Sequence, residues 1–544
     1  MLTKGLCLFV IASVAVCTCQ AQMTGGNSNG PAAPTQISWV VVDSMQNAHS
    51  MASTTVEPLV FDPSTNTLAL IHRGESSYGA SGQVWYNMST NGGTNWVRVS
   101  ELNAGTSAQL RYPTCAISNP TNSPSRGNAF FWWVAPRFVS GAWGGMTYGV
   151  DAPLGSGTPY AVAAPDSGVP SSVILWTCEQ SDAVFWAYRR INGFGIYVCG
   201  PYFCGVPPSW WVSADPIAGT FVNGVVYLGA HGNLPNTTRW NIGYSKSTDL
   251  GRTWSDWVCP GVDAPRYSWW DANGSGAYSF AMTVDANNRV HFFGVVVNSL
   301  TQQRALLELC ESAVAWEAKF VTTNLSENTC LNYGDITNMG HYVNVATNTS
   351  RTDMVVEWLD AGSPIDTLPD IWLSSRHINQ PDWYSALNIT NSPDRAELLV
   401  HMAPVTTYQP IGGLIFFTRA YQAGIMGYPP SPGDRTVIYS GRYTVIVLHA
   451  ADPPAITTDY RLAQNYPNPF NPETRIGFRI RDAGFTSLKV YDVLGREVAT
   501  LVEGKIDAGN HEVTFDGSNL PSGVYVYRLM SGSYQESKKM LLMK

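Results

Sequence analysis

Two segments decide how the chain folds: Ser89-Thr-Asn-Gly-Gly-Thr-Asn-Trp96 and Ser247-Thr-Asp-Leu-Gly-Arg-Thr-Trp254. Both keep Ser, any residue, Asn or Asp, any residue, Gly, two further residues and Trp. Each follows an aromatic strand, Val84-Trp-Tyr-Asn-Met88 in the first case and Trp240-Asn-Ile-Gly-Tyr244 in the second. The pattern describes a hairpin clasp. Asn91 or Asp249 accepts backbone N–H groups across the turn, Gly93 or Gly251 supplies the left-handed position, and Trp96 or Trp254 folds back over the apolar side of the loop. Ser89, Asn91, Gly93, Trp96, Ser247, Asp249, Gly251 and Trp254 are therefore read as structural residues that report a fold rather than a reaction.

Outward from the clasps, the chain from Ser38 to Ala450 consists of short strands between Gly, Asn, Asp and Pro turns, with hardly any helical periodicity. Val84 to Ser89, Val225 to Gly229, Val290 to Val297 and Met354 to Leu359 are examples. A second unit of strand, Asx-rich turn and strand recurs at Phe61-Asp-Pro-Ser-Thr-Asn66 and at Val284-Asp-Ala-Asn-Asn288. Such strands build a sandwich, a barrel or a propeller, and repetition chooses among them. The clasp resembles the Asp-box of the sialidase-like, BNR-repeat β-propellers. Ile371-Trp-Leu-Ser-Ser-Arg376 followed by Gln380-Pro-Asp-Trp383 looks like an eroded copy that lacks the glycine. The resemblance implies an all-β propeller over residues 38–450. Six blades of about 70 residues are favoured, with seven of about 60 as the alternative.

The ends of the chain speak of export. Residues 1–21 carry Lys4, an apolar run from Leu6 to Val16 and a small residue at Ala21, the layout of a signal peptide. Residues 22–37 read as a flexible segment, and no later run has the length of a stable membrane span. Residues 451–461 form a Pro-containing linker. Beyond it, Asn465-Tyr-Pro-Asn-Pro-Phe-Asn-Pro472 opens a region of alternating residues: Ile476, Phe478 and Ile480; Leu488, Val490 and Val493; Val513 and Phe515; Val524, Val526 and Leu529; Met540 and Leu542. That alternation predicts a small immunoglobulin-like β-sandwich. Residues 462–544 resemble the type A C-terminal sorting domain of the type IX secretion system, through the opening prolines, Val490-Tyr-Asp-Val-Leu-Gly-Arg496, Leu520-Pro-Ser-Gly-Val-Tyr-Val-Tyr527 and Lys538-Lys-Met-Leu-Leu542. The resemblance implies the secretion machinery as a partner and a secreted or outer-surface location.

Composition narrows the function. Charged residues make up 13% of the chain and aromatic ones 12%, with 19 Trp and 26 Tyr, and the net charge is -8. No basic stripe serves nucleic acid. Of the 10 cysteines, three lie in the leader and seven remain. Cys199 with Cys204, and Cys310 with Cys330, are spaced for disulfides, while an odd total leaves at least one thiol over. No Cys/His group has zinc spacing, so neither metal nor cofactor is expected.

Sialidase chemistry needs an arginine cluster, a tyrosine–glutamate pair and an aspartic acid. The chain lacks the early Arg-Ile-Pro motif, and Arg73, Arg111 and Arg137 are the nearest substitutes. Catalytic residues therefore stay unassigned. His72, Arg73 and Glu75, where a strand enters a Gly/Ser loop, form the most suggestive polar group. His231, His291, His341 and His401 recur near strands, as core or as ligands. The expected function is a secreted or surface propeller without catalysis that binds carbohydrate or protein or builds an extracellular structure, with self-association open. The alternative is a glycoside hydrolase with a diverged site.

Overall fold

The computed structural model describes residues 37–46, 57–74, 82–104, 109–164, 173–177, 184–189, 196–199, 204–205, 213–233, 240–260, 267–269, 280–312, 316–326, 331–333, 336–339, 341–361, 369–391, 395–408, 414–424, 435–445, 461–462, 464–465, 468–480, 484–506, 509–532 and 534–544. The leader, Glu75, Cys330 and nearly all of the linker lie outside them. Contacts divide the chain into two compact units, Met1–Leu448 and His449–Lys544.

The first unit is built from antiparallel groups of consecutive strands. The first group is Leu59–Asp62, Thr67–Arg73, Val84–Ser89 and Val97–Glu101. Later groups include Thr114–Ser118, Val173–Thr177, Ser213–Val222, Phe280–Val284 and Asn344–Asn348. The last comprises Arg395–Met402 and Val405–Tyr408, then Leu414–Gly424 and Arg435–Val445. It is completed from the other end of the chain by Ser38–Gln46, which pairs with Arg435–Val445. A short parallel pairing of Thr347 with Val405 joins the last two groups into one nine-stranded sheet; among the described residues of this unit there are five further sheets of three to five strands and a two-stranded one, Leu331–Tyr333 with Ile336–Met339.

Hydrophobic burial explains why the strands read as continuous apolar runs. Every position of Thr67–Arg73 and of Asp353–Asp360 is buried. Successive side chains leave a strand on opposite faces. In Val290–Asn298, Phe292 and Val296 therefore enter one core with Tyr244 and Ile242 of the group before, while Phe293 and Val295 enter another with Met354 and Trp358 of the group after. The same rule places Trp133 against the first group and leaves its neighbour Trp132 against the third. Among the described tryptophans, Trp133, Trp176, Trp257 and Trp358 are buried in such cores.

One strand of each group packs against its counterpart in the next. Leu59–Asp62 touches Thr114–Ser118, and contacts then pass through Val173–Thr177, Ser213–Val222, Phe280–Val284, Asn344–Asn348 and Val405–Tyr408, which returns to Leu59–Asp62.

The second unit holds two antiparallel sheets. One contains Arg461–Leu462, Glu473–Ile480 and Gly509–Asp516; the other runs Glu497–Ile506, Gly484–Tyr491, Gly523–Ser531, Tyr534–Leu542. Ile476, Phe478, Ile480, Leu488, Val490 and Phe515 form its core as the alternation predicts. Three positions differ. Tyr525 and Tyr527, not Val524 and Val526, share the inward face with Leu529. Each phenol can be buried because it is hydrogen-bonded: Tyr525 donates to Pro521 O at 2.8 Å, and Tyr527 accepts from Asn465 N at 2.8 Å. Val493 is not core but a turn residue, 73% exposed.

Among the described residues Cys115, Cys259 and Cys310 are free thiols. The expected Cys310–Cys330 bridge is therefore corrected at Cys310. Its strand, Arg304–Glu311, runs through the middle of a sheet, and its sulfur sits 3.8 Å from His291 Nε2. Cys199 and Cys204 are backbone partners across a strand pair. No helix among the described residues is long and apolar enough to cross a membrane.

Candidate functional site

The two clasps show how the local sequence makes its turns. Ser247 Oγ donates to Asp249 Oδ1 at 2.8 Å and accepts from Gly251 N at 2.7 Å. Asp249 also accepts from Thr253 N at 2.8 Å and Thr253 Oγ1 at 2.7 Å, while Trp254 Nε1 donates to Gly251 O at 2.9 Å. Gly251 takes φ 87, a left-handed value that a side chain would disfavour. The Thr253 N–H and hydroxyl, then Ser247, hold the Asp249 carboxyl down to about 2. At the first clasp Asn91 Oδ1 accepts from Ser89 Oγ at 2.9 Å and Asn95 N at 3.0 Å, and Gly93 N donates to Ser89 Oγ at 2.9 Å. These side chains spend their polar atoms on the turn.

His72 and Arg73 are fully buried. His72 Nε2 lies 2.8 Å from Asn87 Oδ1 and 3.3 Å from Asp43 Oδ2, and its Nδ1 lies 2.7 Å from Arg73 O. Asp43 belongs to Ser38–Gln46, so this group ties the first strand group to the last. Arg98 reaches the same carboxylate through Nε at 2.8 Å. Neither His72 nor Arg73 lines any of the cavities below, because Thr67–Arg73 is not among the strands that pack in succession from group to group and supply the cavity walls.

A larger buried ionic network spans the fifth and sixth groups. His291 Nδ1 contacts Glu308 Oε1 at 2.6 Å, and Nε2 lies 3.3 Å from Asp285 Oδ2. Arg376 pairs with Glu308 Oε1, and Trp383 Nε1 donates to Oε2 at 2.8 Å. Burial opposes the charge on His291, but Asp285, Cys310 and Glu308 outweigh it and push the imidazole up to about 10. Glu308 is correspondingly held low by His291 and Arg376 against the cost of burial.

His291, Glu308 and Cys310 place ligand atoms within 4.8 Å of one another, a grouping that sequence spacing does not reveal. At 2.6 Å, however, Nδ1 and Oε1 are at hydrogen-bond distance. With Arg376 and Trp383 on the same carboxylate, the arrangement is that of an imidazolium clamp. The eroded clasp copy thus has another use: its Arg376 and Trp383 hold the neighbouring group's acid.

The cavity where the strands of that succession meet is different in kind. It measures about 150 Å³ and takes wall residues from every group, among them Val60, Ile117, Trp176, Thr220, Thr283, Thr347 and Val405. Gly219 lets Trp176 close over the wall, since a Cβ there would lie 2.3 Å from the indole. A cavity of about 210 Å³ adjoins it and shares Arg351 and Thr347, and one of about 50 Å³ shares Glu57 and includes His401.

Arg351 is anchored by Nη1 to Val284 O at 3.2 Å and Nη2 to Thr220 Oγ1 at 3.1 Å. Glu57 is held through its backbone: its N–H donates to Thr114 Oγ1 at 3.0 Å and its carbonyl accepts from Cys115 N at 3.0 Å. Desolvation pushes its carboxyl up to about 8, so the acid stays protonated at neutral pH. Arg351 and Glu57 are the described charged groups of the central wall, and sequence reasoning singles out neither. The available hint was an acidic residue directly before Pro58 and an apolar strand. Of the three arginines that the sequence offers, Arg73, which is buried, and Arg111 both act on the phenol of Tyr112, which desolvation raises and they lower, while Arg137 lies on the strand that pairs with Gln109–Leu110.

One family model, described as the secretion system C-terminal sorting domain, matches residues 464–543. No curated protein matches the chain. Solved structures similar to it include a protein of unknown function from Dyadobacter fermentans DSM 18053, at 10% identity over 76% of this chain and 99% of that one, with a TM-score of 0.42. An α-L-arabinofuranosidase of Fusarium graminearum is 12% identical over 75% and 97%, at 0.37. The phage phi92 endosialidase is 10% identical over 93% and 87%, at 0.38. Scores of this size say nothing about chemistry. The chain is an all-β, propeller-like domain fused to a sorting domain that directs it to secretion or the cell surface.

Proposed function

We propose that the exported domain is a seven-bladed propeller that takes a carbohydrate at its central cavity and cleaves a glycosidic bond there, with Glu57 as proton donor. Succession of one strand from each group, with the last returning to the first, supports the closed ring. The observation that carries the reaction is Glu57 itself: a carboxyl raised to about 8 on a cavity wall, without the partners that hold Glu308 low. An acid kept neutral by its surroundings is what protonation of a leaving oxygen requires. Threonine hydroxyls beside Val60, Ile117 and Trp176 give the wall the mixed polar and apolar character that a sugar ring presents.

A second reading, glycan binding without cleavage, is favoured by the position of the next carboxyl. Hydrolysis commonly uses two carboxyls about 5 to 9.5 Å apart. Asp62 lies at the other end of the strand that Glu57 precedes, about 16 Å along an extended backbone, which is too far for that pair.

Glycoside turnover and binding, measured together on the native protein and on Glu57→Gln, separate the readings. Turnover that falls roughly 10²- to 10⁴-fold in the variant with binding retained supports the hydrolase. Binding without turnover in both proteins leaves the second reading. Absence of both defeats the carbohydrate assignment.

A further inference from the structure

The sorting domain carries a feature that its own folding does not explain. Leu494 and Val493 are 75% and 73% exposed, the highest values among the exposed large hydrophobic side chains described. They stand side by side in a turn that is rigidly built. Asp492 Oδ1 accepts from Leu494 N at 2.9 Å and from Arg496 N at 3.0 Å, Arg496 Nε donates to Oδ2 at 2.7 Å, and Gly495 N donates to Asp492 O at 3.0 Å.

The first domain contains the same turn with different occupants. In Asp285-Ala-Asn-Asn-Arg289, Asp285 Oδ1 accepts from Asn287 N at 2.8 Å and Arg289 N at 2.9 Å, and Arg289 Nε donates to Oδ2 at 2.8 Å. Asn288 N donates to Asp285 O at 3.0 Å, as Gly495 does to Asp492. There the two middle positions are Ala286 and Asn287. The turn's hydrogen bonds therefore make no demand for aliphatic side chains, and holding two of them in water carries a hydration cost.

We propose that Asp492-Val-Leu-Gly-Arg496 is the docking point by which the export machinery takes up this domain, with Val493 and Leu494 entering an apolar pocket of that machinery. The occupant follows from the module that bears the turn. A sorting domain is recognised by the apparatus it addresses, and the match to that family spans the turn. Two adjacent aliphatic side chains on a stiff tip suit a pocket, because a rigid anchor loses little entropy on binding. This inference is independent of any activity at the central cavity.

The test replaces Val493→Ala together with Leu494→Asn, which installs the side chains that the same turn already accepts in the first domain. The full chain with its leader is expressed in a bacterium possessing the secretion system, and surface and medium levels are compared with those retained in the envelope. Export about tenfold lower, at an unchanged melting temperature, is expected for a lost anchor. Phe485→Ser, at a position 62% exposed in the same domain, should export normally. Wild-type export by the double variant overturns the proposal, and so does an equal defect in Phe485→Ser.

Discussion

Two acids in the first domain, Glu308 fully buried and Glu57 half-buried, meet opposite fates. Glu308 is surrounded by His291, Arg376 and Trp383, and its carboxyl is held low. Glu57 meets a cavity wall, and its carboxyl rises to about 8. Burial penalises both charges, so partners decide the outcome. The difference teaches which acid serves stability and which is left poised for a ligand. A group satisfied from every side has no capacity to spare, whereas one that is desolvated and faces a cavity can exchange its proton with whatever fills it.

The comparison can be broken hardest at Glu308. Glu308→Ala leaves His291 and Arg376 charged and buried without their acid, and should cost about 3–5 kcal/mol in urea unfolding. A smaller loss would mean that the clamp does not hold the two groups together.

The pH dependence of stability gives the next effect, and its sign differs between the two acids. Glu57 keeps its proton in the folded state from its ordinary 4.5 up to about 8, so its burial lowers stability as pH rises through that window. Glu57→Gln should therefore equal the native protein near pH 4 and exceed it above pH 8, by roughly 1.4 kcal/mol for each pH unit of the window. Thermal melts across that range check the slope.

Glu308 works the other way: its stabilisation is present above the ordinary carboxylate range and is lost as acid protonates the folded state. His291, raised from 6.5 to about 10, contributes stability that is complete below 6.5 and lost as pH rises through about 10. An alkaline arm near pH 10 should therefore vanish in His291→Gln.

The smallest effect is expected at the clasps. Asp249→Ala removes a carboxylate that accepts from Thr253 and Ser247 and should lower the denaturant midpoint slightly. Asn91→Ala, with a neutral acceptor, should cost less, and parallel denaturant titrations rank the two.

Much of the fold is legible in local sequence because its causes are local. The turns at Ser247 to Trp254 and at Asp285 to Arg289 are made by side chains within five positions of one another, and the strands by runs of two-sided apolar residues. Alternation in the sorting domain is legible for the same reason, except where Tyr525 and Tyr527 turn inward. Their burial depends on distant or out-of-strand partners, Asn465 and Pro521.

The candidate site is illegible for the opposite reason. Glu57 acquires its character from strands that begin as far away as Asn344, which no spacing rule connects to it. His72 and Arg73 stand next to a loop in sequence yet belong to an interior strand, and Cys310 is paired in space with a histidine instead of a cysteine.

The most direct measurement is the carboxyl stretch of Glu57, isolated as the infrared difference between the native protein and Glu57→Gln across a pH titration. A protonated-carboxyl band present at pH 7 and lost near pH 8 is the predicted result. A carboxylate band already formed by pH 6 would show Glu57 to be solvated or paired, and would remove the acid on which the account of the cavity depends.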